Sequence, residues 1–298
     1  MKKIISVFIG LLFLSFLIQC KRDSTDSKNA TDFSVEKIID NYNIKKGFEN
    51  IYYLFPSPAQ ILSAIKEEGF MYKPELLNSS EKKEMYIKSN EQYLNLGVYI
   101  ADLSYCALFE RNNDAEKYLE TIKQMGNKLD LSTKIFEEII TKLNNNLNEP
   151  DSILKITNEF FFSVINDLEE NNRQIDVIII TTGAYIECLY LSVNNIEKYS
   201  EDNIIIQKIA EQMYTFNNLF DYSKKYVSND DLMKSLSYIE EINTIFKLLN
   251  KKEEKLKVKK DGDHHIVISG GEKLSFSDET KFISFKENLN RIRNSITK

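Results

Sequence analysis

Asp102 sits where a carboxylate is least expected. It lies in the run LNLGVYIADLSY, residues 94–105, between Ile100, Leu103 and Cys106. A buried carboxylate is costly unless it is paired or hydrogen-bonded, and such groups gather at functional sites. A second run echoes the first. Gly97-x-Tyr99-Ile100 followed by Asp102 parallels Gly183-x-Tyr185-Ile186 followed by Glu187. The glycines would let two helices cross closely, and the tyrosines would bridge apolar core to polar partner. If the two helices face each other, Tyr99, Asp102, Tyr185 and Glu187 line one polar pocket, fit for a small-molecule binding protein or an enzyme. The competing reading, preferred at this level, is that Asp102 accepts hydrogen bonds from a neighbouring Tyr, Asn or helix N-terminus and fixes packing.

Other chemistry is sparse. His264 and His265 are the only histidines, and with Asp261 and Asp263 they form a weak metal candidate. Adjacent side chains diverge on a strand, so a solvated turn is the preferred reading, with no metal and no cofactor expected. Without another histidine, no Ser-His-Asp or Cys-His nucleophile system can be built on the core. No P-loop and no His-Glu-x-x-His occurs, and Gly270-Gly271 lacks the following helix of a phosphate-binding loop. Cys106 and Cys188 both lie in apolar runs of helical character and read as buried free thiols rather than a disulfide.

The N-terminus carries an address. MKKIISVFIGLLFLSFLIQC places Lys2 and Lys3 before an apolar run from Ile4 to Ile18, ending at Cys20. The run is too short for an ordinary spanning helix. It reads as a lipoprotein signal peptide over residues 1–19, with Cys20 as the lipidated first residue. Leu17 fits the cleavage pattern, whereas Gln19 replaces the small residue expected there; an uncleaved anchor helix is the alternative. Residues 20–33 then form the lipidated cysteine and a Ser/Thr/Asp/Asn/Lys-rich tether.

Composition bounds the remainder. The formal net charge is −6, and removing Lys2 and Lys3 makes it −8. This argues against nucleic-acid partners and against docking on anionic lipid by charge alone. The whole chain has nine Gly and four Pro, so long helices with few turns are expected. Ser57-Pro58 followed by Ile61, Leu62, Ile65 and Gly69 spells a compact helix with a serine cap and a proline first turn. Further helices are expected over about 35–54, 90–110 and 113–129 (ending near Gly126), from Ser132, and over 152–170, 173–198, 202–226 and 229–256. Leu232, Leu236, Ile239, Ile242, Phe246 and Leu249 form one stripe, and Phe282, Phe285, Leu289, Ile292 and Ile296 another. The β-branched run Ile175 to Thr182 continues in a pattern that favours a buried helix. Phe160-Phe161-Phe162 would cover most faces of its helix, making that helix central. The charge run Lys251 to Lys260 reads as a solvated helix end. Near residues 262–276 an Asp-Gly turn, a short β-like run and Gly-Gly predict a small hairpin.

Phe55-Pro56-Ser57-Pro58, the stretch Tyr93 to Tyr105, the run Thr182 to Tyr190 and the ending Leu289 to Ile296 together resemble an uncharacterised family of all-helical lipoproteins found in Bacteroidetes. Ile100 stands where many members carry glycine. The resemblance implies export, membrane attachment and an all-helical body, and it supplies no activity or catalytic residue.

The expectation is therefore an all-α protein, an irregular multi-helix bundle or array of helical hairpins, forming a single domain over 34–298. It would be held in the cell envelope, at the outer membrane of a Gram-negative bacterium, by acylated Cys20. Its partners would be the lipid bilayer and an envelope protein or small ligand, with no nucleic acid. A non-catalytic binding or scaffold role is expected, with the pocket near Asp102 and Glu187 as the alternative.

Overall fold

Ser57 starts the first helix by the mechanism its position suggests. Its hydroxyl accepts from the Gln60 backbone N–H at 3.1 Å, and the Gln60 side chain accepts from the Ser57 N–H at 2.9 Å. This capping box, with Pro58 in the first turn, opens α1 (Pro58–Ile65). The computed structural model describes residues 55–67, 69–145, 150–226, 233–261 and 265–298. The signal peptide, Cys20, the tether and the helix expected over 35–54 lie outside the described residues, as does His264.

Two 20-residue helices form the centre: α2 (Ser89–Leu108) and α6 (Gln174–Val193). Every α2 residue from Tyr93 to Ala107 is buried. By length and composition α6 could cross a membrane, but 83% of its apolar stretch is buried inside the protein. A helix that is apolar on all sides is a core helix when neighbours cover it, and the β-branched run from Ile175 accordingly folds as helix. Tyr93 near the start of α2 meets Arg173 at the start of α6, and Tyr105 near its end meets Asn195 just past the end of α6. The two helices therefore run parallel. They cross at their glycines. A Cβ on Gly97 would lie 2.0 Å from the Ile180 carbonyl oxygen, and one on Gly183 would lie 2.0 Å from that of Leu94.

The other helices wrap this pair. These are α3 (Asn112–Lys128), α4 (Thr133–Asn145), α5 (Pro150–Glu170), α7 (Ile204–Ser223), α8 (Met233–Phe246) and α9 (Glu279–Ile296). Helices α1, α3 and α5 pack on α2, while α7 and α9 pack on α6. Phe160, Phe161 and Phe162 of α5 are all buried. So is the α9 stripe of Phe282, Phe285, Leu289, Ile292 and Ile296, which faces α6 and α8. Cys106 and Cys188 are buried free thiols. The fold is all-α with one small sheet.

That sheet differs in extent from the sequence expectation. Helix α8 ends at Phe246, not near 256, and Leu249 to Asp261 form β1. β1 pairs antiparallel with β2 (His265–Phe276), from Leu249 opposite Phe276 to Asp261 opposite His265, with an irregularity between Glu254 and Lys257. The hairpin thus begins at 249 rather than near 262, and the charge run Lys251 to Lys260 is a strand, not a helix end. Beyond Leu249 the apolar residues Leu256 and Val258 sit two apart, a strand period that the lysines around them mask. Leu274 and Phe276 bury the base of the hairpin against the helical body.

Helix ends show how a glycine-poor chain turns. Glu110, Asp130 and Asn172 follow α2, α3 and α5 with φ of 57°, 54° and 58°. In each case the next N–H bonds back across the end: Arg111 to Cys106 O at 2.9 Å, Leu131 to Gly126 O at 3.0 Å and Arg173 to Leu168 O at 2.8 Å. These are Schellman closures built without glycine. Gly126 itself does not stop α3, which runs on to Lys128. It is small because the Phe136 ring lies where a Cβ would be, 2.3 Å away at the ring tip. Left-handed backbone costs a residue with a Cβ about 1–2 kcal/mol. Glu110→Gly should therefore stabilise the fold by roughly 1 kcal/mol, and Asn172→Gly by less, because asparagine tolerates this region. Urea midpoints with unchanged slope would read this, and no gain for Glu110→Gly would refute the strain argument.

Candidate functional site

Asp102 and Glu187 meet across the parallel crossing of α2 and α6, each fully buried. A third residue completes the group. Arg293, in the last turn of α9, places Nε 2.9 Å from Glu187 Oε2 and Nη2 2.9 Å from Oε1. This is a bidentate fork that fixes both planes. Two further guanidinium donors are also used. Nη1 donates to Thr297 Oγ1 at 3.2 Å and Nη2 to the Leu76 carbonyl at 3.1 Å. The Tyr190 ring lies under the guanidinium at 4.4 Å.

Asp102 has different surroundings. Its Oδ2 accepts from the Asn78 backbone N–H at 3.1 Å. Its Oδ1 has no hydrogen-bond partner among the described residues, and its carboxyl lies close enough to Glu187 for the two to act on each other. Two carboxyls side by side in a dry site do not both ionise readily. Burial pushes the Asp102 carboxyl well above the ordinary carboxylate range, and the Glu187 charge pushes it further, against the opposing pull of Arg293. Asp102 is therefore the member of the pair that holds a proton, beside the Glu187–Arg293 ion pair. The cluster as a whole is neutral. Burial works against the Arg293 charge, but Glu187 outweighs it and holds Arg293 protonated.

A polar shell holds Asn78 in place. Its side-chain amide N–H donates to Tyr86 Oη at 3.0 Å, and its backbone carbonyl accepts from Tyr118 Oη at 2.9 Å. Tyr99 Oη donates to the Ser79 carbonyl at 2.7 Å. The Tyr99 ring lies beside those of Tyr86 and Tyr118, with centroids 6.5 and 6.0 Å away. No family model, curated protein or solved structure matches this chain. What the site can do must therefore be read from its own geometry.

Of the four residues expected to share a pocket, the structure brings three together. Tyr99 stands three residues before Asp102 on the same helix face and joins the shell. Tyr185 does not. It is two residues from Glu187, about 200° around the helix, and its hydroxyl donates to the Gln212 carbonyl of α7 at 2.7 Å. The chain offered this distinction in its spacing: three residues share a face and two oppose. Arg293 was missed, although it follows Ile292 and lies four residues after Leu289 on the buried stripe. Asn78, Tyr86 and Tyr118 belong to segments whose approach no local pattern reports.

The cluster is sealed. A polar cleft of about 370 Å3 opens where α2 and α6 begin, but Ser89, Tyr93, Arg173, Gln174 and Asp176 line it, and neither carboxyl does. Arg173 there is already paired with Asp176 at 2.8 Å and bonded to Tyr93. A second cleft of about 650 Å3 lies beside the hairpin base, between Tyr199, Asp202 and Lys273. Among the described residues no three His, Cys, Asp or Glu side chains are placed to hold a metal ion. His265 opens β2, opposite Asp261.

Proposed function

We propose that this protein is an exported lipoprotein whose helical body serves as a non-catalytic binding or scaffold element of the cell envelope, tethered through acylated Cys20. The anchoring half rests on the sequence: two lysines, fifteen largely apolar residues and Cys20 before a polar tract. The non-catalytic half is supported by one observation. The buried carboxyl pair has no exposed surface, with Glu187 held by the Arg293 fork and Asp102 by the Asn78 N–H. A proton donor that no substrate can reach does structural work.

Labelling with radioactive palmitate in a bacterial host tests the anchor. The natural chain should take up label and sediment with membranes, and Cys20→Ser should do neither. Label retained by Cys20→Ser would end the lipoprotein reading. Cross-linking in intact cells tests the scaffold role. A discrete complex containing the full-length chain is expected, and a chain found only alone would count against it.

A further inference from the structure

Arg293 lies 106 residues beyond Glu187 and is supplied by the last helix of the chain. Until α9 arrives, Asp102 and Glu187 face each other at the α2–α6 crossing without the cation that matches them. The rest of the α9 terminus is fastened to the same region. Asn95 of α2 donates to the Ile296 carbonyl at 2.9 Å, Lys82 donates to that of Thr297 at 2.7 Å, and Arg293 itself reaches Leu76. Removing the partner of a buried charge is far more destabilising than replacing both partners by neutral groups, because the remaining charge is left uncompensated in the interior. An unpaired dicarboxyl site can take up a second proton, which costs more the further the pH lies above the ordinary carboxylate range, or be hydrated, which requires the crossing to open.

We infer that α9 is a latch. At neutral pH the α2–α6 core closes dry only once Arg293 is delivered, so the compact state is gated by α9. The inference concerns closure of the fold and does not depend on the anchoring proposal.

Hydrogen exchange of the full-length protein decides it, read at the amides of α2 and α6 rather than α9. Arg293→Met keeps the length of the side chain and removes the charge. In that variant, exchange throughout α2 and α6 should accelerate by on the order of 100-fold or more. Adding Glu187→Gln neutralises the stranded carboxylate. The double variant Glu187→Gln/Arg293→Met should return exchange in α2 and α6 to within several-fold of the natural protein. Two results overturn the latch. One is acceleration confined to α9 in the single variant, which makes the ion pair a local fastening. The other is a double variant no better protected than the single, which assigns the loss to missing arginine contacts. Should the single variant fail to fold, the double variant still decides the question.

Discussion

Asp102→Asn is expected to make the protein more stable than the natural chain at pH 8, with an advantage that shrinks as the pH falls toward 4. Asparagine stands in for the protonated acid: it is neutral beside Glu187, and its oxygen can accept from the Asn78 N–H as Asp102 Oδ2 does. The sign follows from linkage. The native Asp102 carboxyl sits well above the ordinary range, through burial first and the Glu187 charge second, while in the unfolded chain it titrates near ~3.9. Its contribution is therefore fully present below that unfolded value and is lost as pH rises toward the native one. Over that window the stability difference between variant and natural chain should grow by up to about 1.4 kcal/mol per pH unit. The groups that act on Asp102 stay fixed meanwhile. Tyr99 and Cys106 on its own helix, Tyr118 on α3, and Cys188 and Tyr190 on α6 are all pushed upward by burial, and Arg293 on α9 remains charged. Asp278 and Glu84, held below their usual values by the Lys281 N–H and by Lys128, stabilise in the opposite direction with pH. They are common to both chains and cancel in the difference. Asp102→Ala is the control: it strips the acceptor from the Asn78 N–H and should cost about 2 kcal/mol or more even at acid pH. Denaturant melts at four pH values suffice, and a pH-independent difference between Asn and Asp would refute the proton held by Asp102.

The cluster shows where sequence reading succeeds and where it stops. Asp102 stands out because the other fourteen residues from Tyr93 to Ala107 are buried with it, and a carboxylate in an apolar run needs a partner wherever it folds. The echo of Gly97-x-Tyr99-Ile100 in Gly183-x-Tyr185-Ile186 could be chance or two equivalent helices; the two runs lie on the central helices, which cross in parallel at these glycines. The identity of the partner was harder to see. Hydrophobic periodicity treats Arg293 as the polar neighbour of Ile292, and nothing local tells that the edge of the stripe turns inward. Long-range ion pairs are set by which helices become neighbours, and that is a property of the whole packing. The hairpin failed for a different reason. Lys251 to Lys260 has the composition of a solvated helix end, and only its pairing with His265 to Phe276 makes it a strand. Ser57 could be read correctly because a cap is local: donor, acceptor and proline lie within four residues.

The crossing itself gives the harshest expected substitution. In an exposed helix interior, Gly→Ala gains about 1 kcal/mol. At Gly183 the new methyl carbon would lie 2.0 Å from the Leu94 carbonyl oxygen and 2.8 Å from its carbon; at Gly97 it would lie 2.0 Å from the Ile180 oxygen and 2.7 Å from the Ala184 nitrogen. These obstacles are backbone and cannot rotate away. The helices must separate by about an ångström or more to restore ordinary contact, which unpacks side chains along both. Gly183→Ala and Gly97→Ala should each cost about 3 kcal/mol. Gly126→Ala, where the obstacle is the tip of the Phe136 ring, should cost less because a ring can tilt. The crossing and the carboxyl cluster are one device, since Asp102 and Glu187 lie only five and four residues beyond these glycines, about 7.5 and 6 Å along the helices. Separating the helices at Gly183 moves Asp102 away from Glu187 and admits water beside them. The Gly183→Ala background should therefore weaken the pH-dependent gain from Asp102→Asn, giving a double-mutant cycle with a clear coupling energy at pH 8. Strictly additive effects at that pH would mean the glycines set only the distance between backbones. Coupling would mean that the closeness they permit is what keeps a proton on Asp102 in a dry core.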